Sequence, residues 1–514
     1  MISQSQLDNL RVEITDNIRV QIGSDSMHYI NVGNALTDAR AKQNHTIFAR
    51  RGCGKTLLLH HSGRTLSEKR HRVYLNCEDF KQHSFPNVLI EILHSVFREI
   101  DSNLVAWFGK KKALKHEINA ILKRLDQMRM AEDARVSDVV ERSKNTSESN
   151  ASFGASVAAD PIKLSANLTN GKTRTNSMET RFKEHQSKLR ELDLWLPRLK
   201  EKIRAFFSSS DKCEAIFIQI DDLYHLRRMD QAFVVDYIHR LCKDVPLFFK
   251  IATLRHASVM YVDREGQPIG AQERHDYQPI DIDYSFSDFA KTRLQNWNIL
   301  IEFARRAKVD AKGIEELFKG EGFSRLVMAG GGVPRDVLSL FLDILSETDV
   351  SAGQKIGKDE VRIKSRSNFE RRIEELKQDS KENEQGDLLK AIYIIRHFCL
   401  TRQTNVFCIE ERVLQTNEVW RALIYRLLDY RIIHHCASAF THKSKPGSYQ
   451  AFAIDIGCYA HLRKLDGKFK EIDVSVSDAK ERMRSAPILD EGTLGELEKA
   501  APNNFEAELF AEEE

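Results

Sequence analysis

The chain has 514 residues, 41% hydrophobic and 30% charged, and its 78 Lys+Arg against 75 Asp+Glu leave a formal charge of +3. Such a length accommodates about two to four domains with a sizeable core, and the near-neutral balance excludes a uniformly basic coat for polyanions. No apolar run reaches the roughly 18 residues of a membrane span, the N-terminus lacks the order of a signal peptide, and eight scattered cysteines without a CxxC pair argue against a zinc module or a disulfide framework. The expectation is a cytoplasmic protein with buried thiols.

In chain order, an N-terminal segment (1–20) precedes an α/β core expected over 21–285. Short apolar runs at 45–49, 72–76, 215–220, 247–253 and 279–282 are continuous rather than alternating, which predicts parallel strands covered on both faces with helices between them. The gap between the second and third runs is too long for one crossover, so about 105–210 is read as an insertion. Within it, 114–144 and 178–207 carry apolar residues at helical spacing (Ile118, Ile121, Leu122, Leu125; Leu189, Leu192, Leu196, Leu199), predicting two long helices packed along one face. Between them, Phe153, Ala155, Val157 and then Ile162, Leu164, Ala166, Leu168 alternate with polar residues across Asp160-Pro161. That stretch is either a hairpin or a polar Ser/Thr/Asn/Gly-rich loop.

Residues 286–350 read as a helical lid, with three or four amphipathic helices over 299–347, and 351–386 as a charged connector. In 387–465, helical patterns at 388–399 and 418–428 flank an extended stretch at 405–409. Two strands, 431–435 and 450–456, then surround the basic loop 441–447. Helix, helix and a basic-tipped hairpin predict a winged helix. The last 24 residues hold eight Glu and one Lys, so 466–514 reads as a solvated acidic tail.

The chemistry concentrates at four places. Ala49-Arg50-Arg51-Gly52-Cys53-Gly54-Lys55-Thr56 departs from the phosphate-loop pattern G-x-x-x-x-G-K-[ST] only at Ala49. Gly52 and Gly54 let backbone N–H groups wrap an anion, Lys55 reaches the β/γ phosphates, and the Thr56 hydroxyl ligates Mg2+. The nucleotide-binding set thus runs from Ala49 to Leu57. The apolar run 216–220 ends in Asp221-Asp222, where open α/β sheets bind ligands; Asp221 would hold the metal and Asp222 orient or deprotonate water. Thr253 ends another strand and could sense a γ-phosphate, or it is simply a satisfied strand end. Gly330-Gly331-Gly332-Val333-Pro334-Arg335 places a cation in the first turn of a helix, against the dipole, and a phosphate ligand is a reason for it.

In this order, these motifs resemble the origin-recognition and STAND-like branch of AAA+ P-loop ATPases over about residues 20 to 465, less the insertion. The resemblance implies a parallel ATPase sheet, a helical lid and a winged helix, with ATP and Mg2+ bound between base and lid. It makes Thr253 the first sensor and Arg335, reaching from the lid, the second. It also implies assembly through the nucleotide, one subunit lending an arginine finger; Arg274 is the candidate by position, with Arg255 and Arg264 as alternatives.

Three readings follow. The first is an ATP-hydrolysing switch that oligomerises or changes partner with nucleotide state, on DNA or in a multiprotein, mobile-element or phage-defence, assembly. The second is a DNA-binding regulator with nucleotide as a slow structural ligand, contacting duplex phosphates through Lys443, Lys445, Arg421 and Arg426. The third is a scaffold that engages a protein partner through the insertion.

Overall fold

The computed structural model describes residues 2–19, 28–104, 109–130, 172–264, 266–350, 352–379, 382–459, 469–502 and 504–510. Its centre is a five-stranded parallel sheet in the order β2-β3-β4-β1-β7, formed by β1 (His45–Phe48), β2 (Arg70–Asn76), β3 (Ala215–Asp221), β4 (Leu247–Thr253) and β7 (Gln278–Asp281). β1 and β3 are buried along their whole length and β4 nearly so, which is why their apolar runs are continuous. This is the α/β fold of a P-loop NTPase. A short hairpin, β5 (Tyr261–Arg264) with β6 (Gln267–Gly270), precedes β7. Sequence reading misses it because both strands are short, polar and largely exposed.

The two long helices of the insertion are present as Gly109–Met130 and Lys172–Ser209. Leu114, Ile118, Ile121 and Leu125 of the first are buried, as are Leu192, Leu196 and Leu199 of the second. They do not form a separate arm: these residues share one core with β3, β4 and the helix Phe85–Asn103. The proposed hairpin around Asp160-Pro161 lies outside the described residues.

The helices Phe289–Arg306, Ala311–Glu316, Gly322–Ala329 and Pro334–Leu345 make the lid, and the N-terminal helix Gln4–Asn17 buries Leu7, Leu10 and Ile14 in the same core. C-terminal to them, β8 (Val406–Glu410), β9 (Ile433–Phe440) and β10 (Tyr449–Ile454) form an antiparallel sheet in the order β8-β10-β9, with the helices Glu382–Thr401 and Glu418–Asp429 against it.

Two segments differ from expectation. The charged connector is a helix, Lys358–Asp379, whose buried face is Val361, Ser365, Asn368, Phe369, Arg372, Ile373 and Leu376. Three of those seven are polar, which disguises the apolar stripe. The acidic tail is not solvated either. Ile472, Ala479, Met483, Leu489, Leu494 and Leu509 are buried. The Cys408 N–H donates to the Pro487 carbonyl and Leu489 N–H to the Cys408 carbonyl, both at 2.8 Å, so this segment covers the exposed edge of β8.

Lid, connector helix and C-terminal sheet meet at a buried charge network. Arg372, with its side chain 1% exposed, donates to Asp336 at 3.0 Å and to Asp455. Arg431 donates to Asp336 at 3.1 Å and also pairs Glu375. A buried ion left without its partner costs far more than an intact network contributes. Arg372→Met should therefore lower the unfolding free energy by about 3–5 kcal/mol, measured by urea denaturation.

Candidate functional site

The loop between β1 and the helix Lys55–Arg64 turns tightly because Gly52 and Gly54 both take positive φ, +86° and +89°. A Cβ on Gly52 would stand 2.9 Å from both Arg335 Cβ and Val333 Cγ1. The same close approach lets Arg335 N–H donate to the Gly52 carbonyl at 3.3 Å, so the lid rests directly on the loop. Lys55 is buried, its ammonium donating to the carbonyls of Ala49 at 3.1 Å and Arg50 at 3.4 Å.

Asp221 ends β3, separated from β1 by β4 alone. Its carboxylate accepts hydrogen bonds from the Thr56 hydroxyl and, at 3.0 Å, from the Tyr74 hydroxyl on β2. A hydroxyl of the loop and a strand-end carboxylate are thus brought together. The fold is that of a P-loop NTPase. Its Asp222 takes the left-handed conformation, φ +52°, which Asp tolerates better than most residues. That turn brings Asp222 into one cleft of about 410 Å3 with Arg51, Gly54, Lys55, Thr56 and Arg335.

No family model matches the chain, and no curated protein matches it. Solved structures similar to it include the Walker-type ATPase paby2304 of Pyrococcus abyssi, at 11% identity and TM-score 0.41, covering 86% of this chain and 97% of that one. Others are Drosophila ORC bound to DNA, at 13% identity and TM-score 0.33 over 90% and 93% of the two chains, and the Aeropyrum pernix ORC1 protein in complex with DNA, at 12% and 0.30 over 99% and 95%.

Not every expected side chain joins this cleft. Arg50 turns away: its guanidinium donates to Asp283 at 2.6 and 2.8 Å and to the Gly331 carbonyl at 3.0 Å, which leaves only its backbone for the loop. Cys53 is buried and burial pushes its thiol up. It lies with Leu57 on an apolar cavity of about 90 Å3 that adjoins the loop and also holds Tyr29, Ile299 and Leu338. A nucleobase would fit the chemistry of that lining, which comes from three separate stretches of chain. No motif marks Tyr29, Ile299 or Leu338, so sequence reading misses these three. Ala49 is buried in the same core, where a glycine is not needed because its φ is not positive.

Thr253 ends β4 between β3 and β1, as expected of a sensor strand, but its hydroxyl is bonded to that of Ser258. Of the three finger candidates, Arg255 is held within its own subunit by Glu273 at 3.1 Å and Asp281 at 2.6 Å, over the ring of Phe48. Arg264 and Arg274 are exposed. The four candidate DNA contacts are all engaged: Lys443 pairs Glu481 at 2.8 Å, Lys445 pairs Asp490 at 3.1 Å, Arg421 pairs Glu418 at 3.4 Å and Arg426 pairs Glu384 at 3.5 Å.

Burial and the neighbouring Asp222 push the Asp221 carboxyl up to about 6. An acid whose pKa rises on folding binds more protons folded than unfolded, so its contribution to stability falls as the pH climbs from about 4 to about 6. Asp221→Asn should make the nucleotide-free protein more stable at about pH 7.5 by on the order of 2 kcal/mol. The gain should vanish near pH 4, and urea unfolding at both pH values checks it.

Proposed function

We propose that this chain binds ATP with Mg2+ between its core and lid, hydrolyses it, and changes assembly or partner with the nucleotide's state. The observation that carries the reading is the convergence of Lys55, Thr56, Asp222 and Arg335 on one cleft, with Asp221 behind it bonded to Thr56. Backbone N–H groups of the loop and the N-terminal end of the helix Lys55–Arg64 hold the phosphates, and Lys55 leaves its two carbonyl partners to reach them. Thr56 and Asp221 hold the cation, which neutralises charge on the phosphates when bound. Asp222 orients the attacking water and accepts its proton. Arg335, fixed to Gly52 through its backbone, brings a cation from the lid, so closure of the lid reports the bound phosphate.

Thr253 is the first sensor in this reading, reached once Ser258 releases its hydroxyl. The exposed Arg274 is the finger that a neighbouring subunit presents in a homo-oligomer. Partner surfaces are the insertion and the C-terminal unit, read as a winged helix, in an origin-recognition-like or defence assembly. The alternative, a DNA-binding regulator acting through its wing, has to break the Lys443–Glu481 and Lys445–Asp490 pairs first. Among the described residues no helix is long and apolar enough to cross a membrane.

Lys55→Ala should weaken ATP binding about tenfold or more and abolish turnover, whereas Asp222→Asn should keep binding and lose about 100-fold in phosphate release. Calorimetric titration and a phosphate-release assay separate the two outcomes. Unchanged turnover in Lys55→Ala contradicts the assignment.

A further inference from the structure

A second cleft, of about 570 Å3, lies between the core and the C-terminal unit and shares Arg51, Tyr224 and His225 with the phosphate cleft. Five arginines line it, Arg51, Arg227, Arg228, Arg426 and Arg431, against the two acids Glu384 and Asp429. Arg227 and Arg228 are exposed, form no ion pair among the described residues, and sit at the N-terminal end of the helix Arg228–Cys242, where cations oppose the dipole. Arg431 and Asp429 on its wall are more than nine-tenths buried, so the accessible cations of the lining are the other arginines.

The lining interleaves its cations with aromatic faces. The Tyr224 and His225 rings lie 4.5 Å apart, Arg51 sits 5.0 Å over Tyr224, and Arg426 sits 5.5 Å over Tyr430. Guanidinium forks match phosphate oxygens, and ring faces match bases; an acidic peptide would use the first and not the second. A cleft of this volume is too narrow for a duplex and is the size of about two nucleotides. Arg426 and Arg431 are held by Glu384 and by Asp336 with Glu375, and the lysines of the 441–447 loop are paired as well, which leaves Arg227 and Arg228 as the cations to meet a phosphate.

We propose that this cleft receives the phosphodiester backbone of a single nucleic-acid strand, with Arg227 and Arg228 at its mouth. The proposal is independent of ATP hydrolysis, since neither arginine lines the phosphate cleft.

The test is fluorescence anisotropy of the full chain with a labelled single-stranded DNA, the same strand as RNA, and its duplex, across a salt series. Polyglutamate and inorganic triphosphate serve as competitors. The parent should bind a single strand more tightly than the duplex. Arg227→Glu with Arg228→Glu should lose about tenfold or more and flatten the log–log salt slope by roughly 1.4, the equivalent of two single-strand phosphate contacts. ATP binding should persist in that variant, and Lys443→Glu with Lys445→Glu should bind the strand as the parent does. The proposal is overturned if single strands do not bind, if the wing variant loses affinity and the arginine variant does not, or if polyglutamate or triphosphate competes as well as the strand at equal charge.

Discussion

The structure depends on one buried set of ion pairs at the junction of lid, connector helix and C-terminal sheet. Asp336, one residue after Arg335, accepts from Arg372 on one oxygen and from Arg431 on the other. Arg372 goes on to Asp455, which His434 also contacts at 3.0 Å, and Arg50 of the phosphate loop lies 3.4 Å from the other nitrogen of that ring. Burial lowers the His434 pKa to about 4, so at neutral pH the ring is uncharged, able to donate to Asp455 and accept from Arg50. Desolvating so many charges is tolerable only while each has its partner. The network therefore permits few arrangements of its members, and two of those members, Arg50 and Asp336, belong to the loop and to the helix that flank the proposed nucleotide cleft.

That constraint explains the form of the site. Arg50 is turned out of the cleft because Asp283, after the last strand, and the Gly331 carbonyl claim its guanidinium. Arg431 also reaches the Arg51 carbonyl at 3.4 Å, so consecutive loop residues are held from the C-terminal unit. Loop, lid and C-terminal sheet are thus mechanically one piece around the phosphate position. A bound phosphate that draws Lys55 and Arg335 inward pulls on the same atoms that position the C-terminal unit. This is a physical route from nucleotide state to partner surface, with a discrete hydrogen-bonded element at each step.

Much of this was legible from residues alone where one physical requirement dominates. Continuous apolarity marked β1, β3 and β4, because both faces of these central strands are covered, and the shorter apolar runs at β2 and β7 marked edge strands that are only partly buried. Two positive-φ glycines before Lys55-Thr56, and two carboxylates at a strand end, marked the phosphate cleft. The helical stripes from Leu114 and Leu189 onward marked the insertion helices. What escaped notice depends on long-range partners. Arg372 and Asp336 look like surface charges until the fold buries them against each other. Leu489, Leu494 and Leu509 are too sparse among glutamates to announce a packed segment, yet all three are buried, and Leu489 bonds to the edge of β8. The apolar cavity beside Cys53 draws on the N-terminal stretch, the loop and the lid at once, and no local pattern can show that.

The central claim is that the buried network shapes the nucleotide cleft from outside it. The most direct measurement is titration calorimetry of Mg2+·ATP into Asp336→Asn, which keeps the side chain's shape and removes the charge that both arginines share. The account predicts a folded protein, by circular dichroism, whose ATP affinity falls by at least about tenfold. A folded variant that binds ATP as tightly as the parent would contradict it.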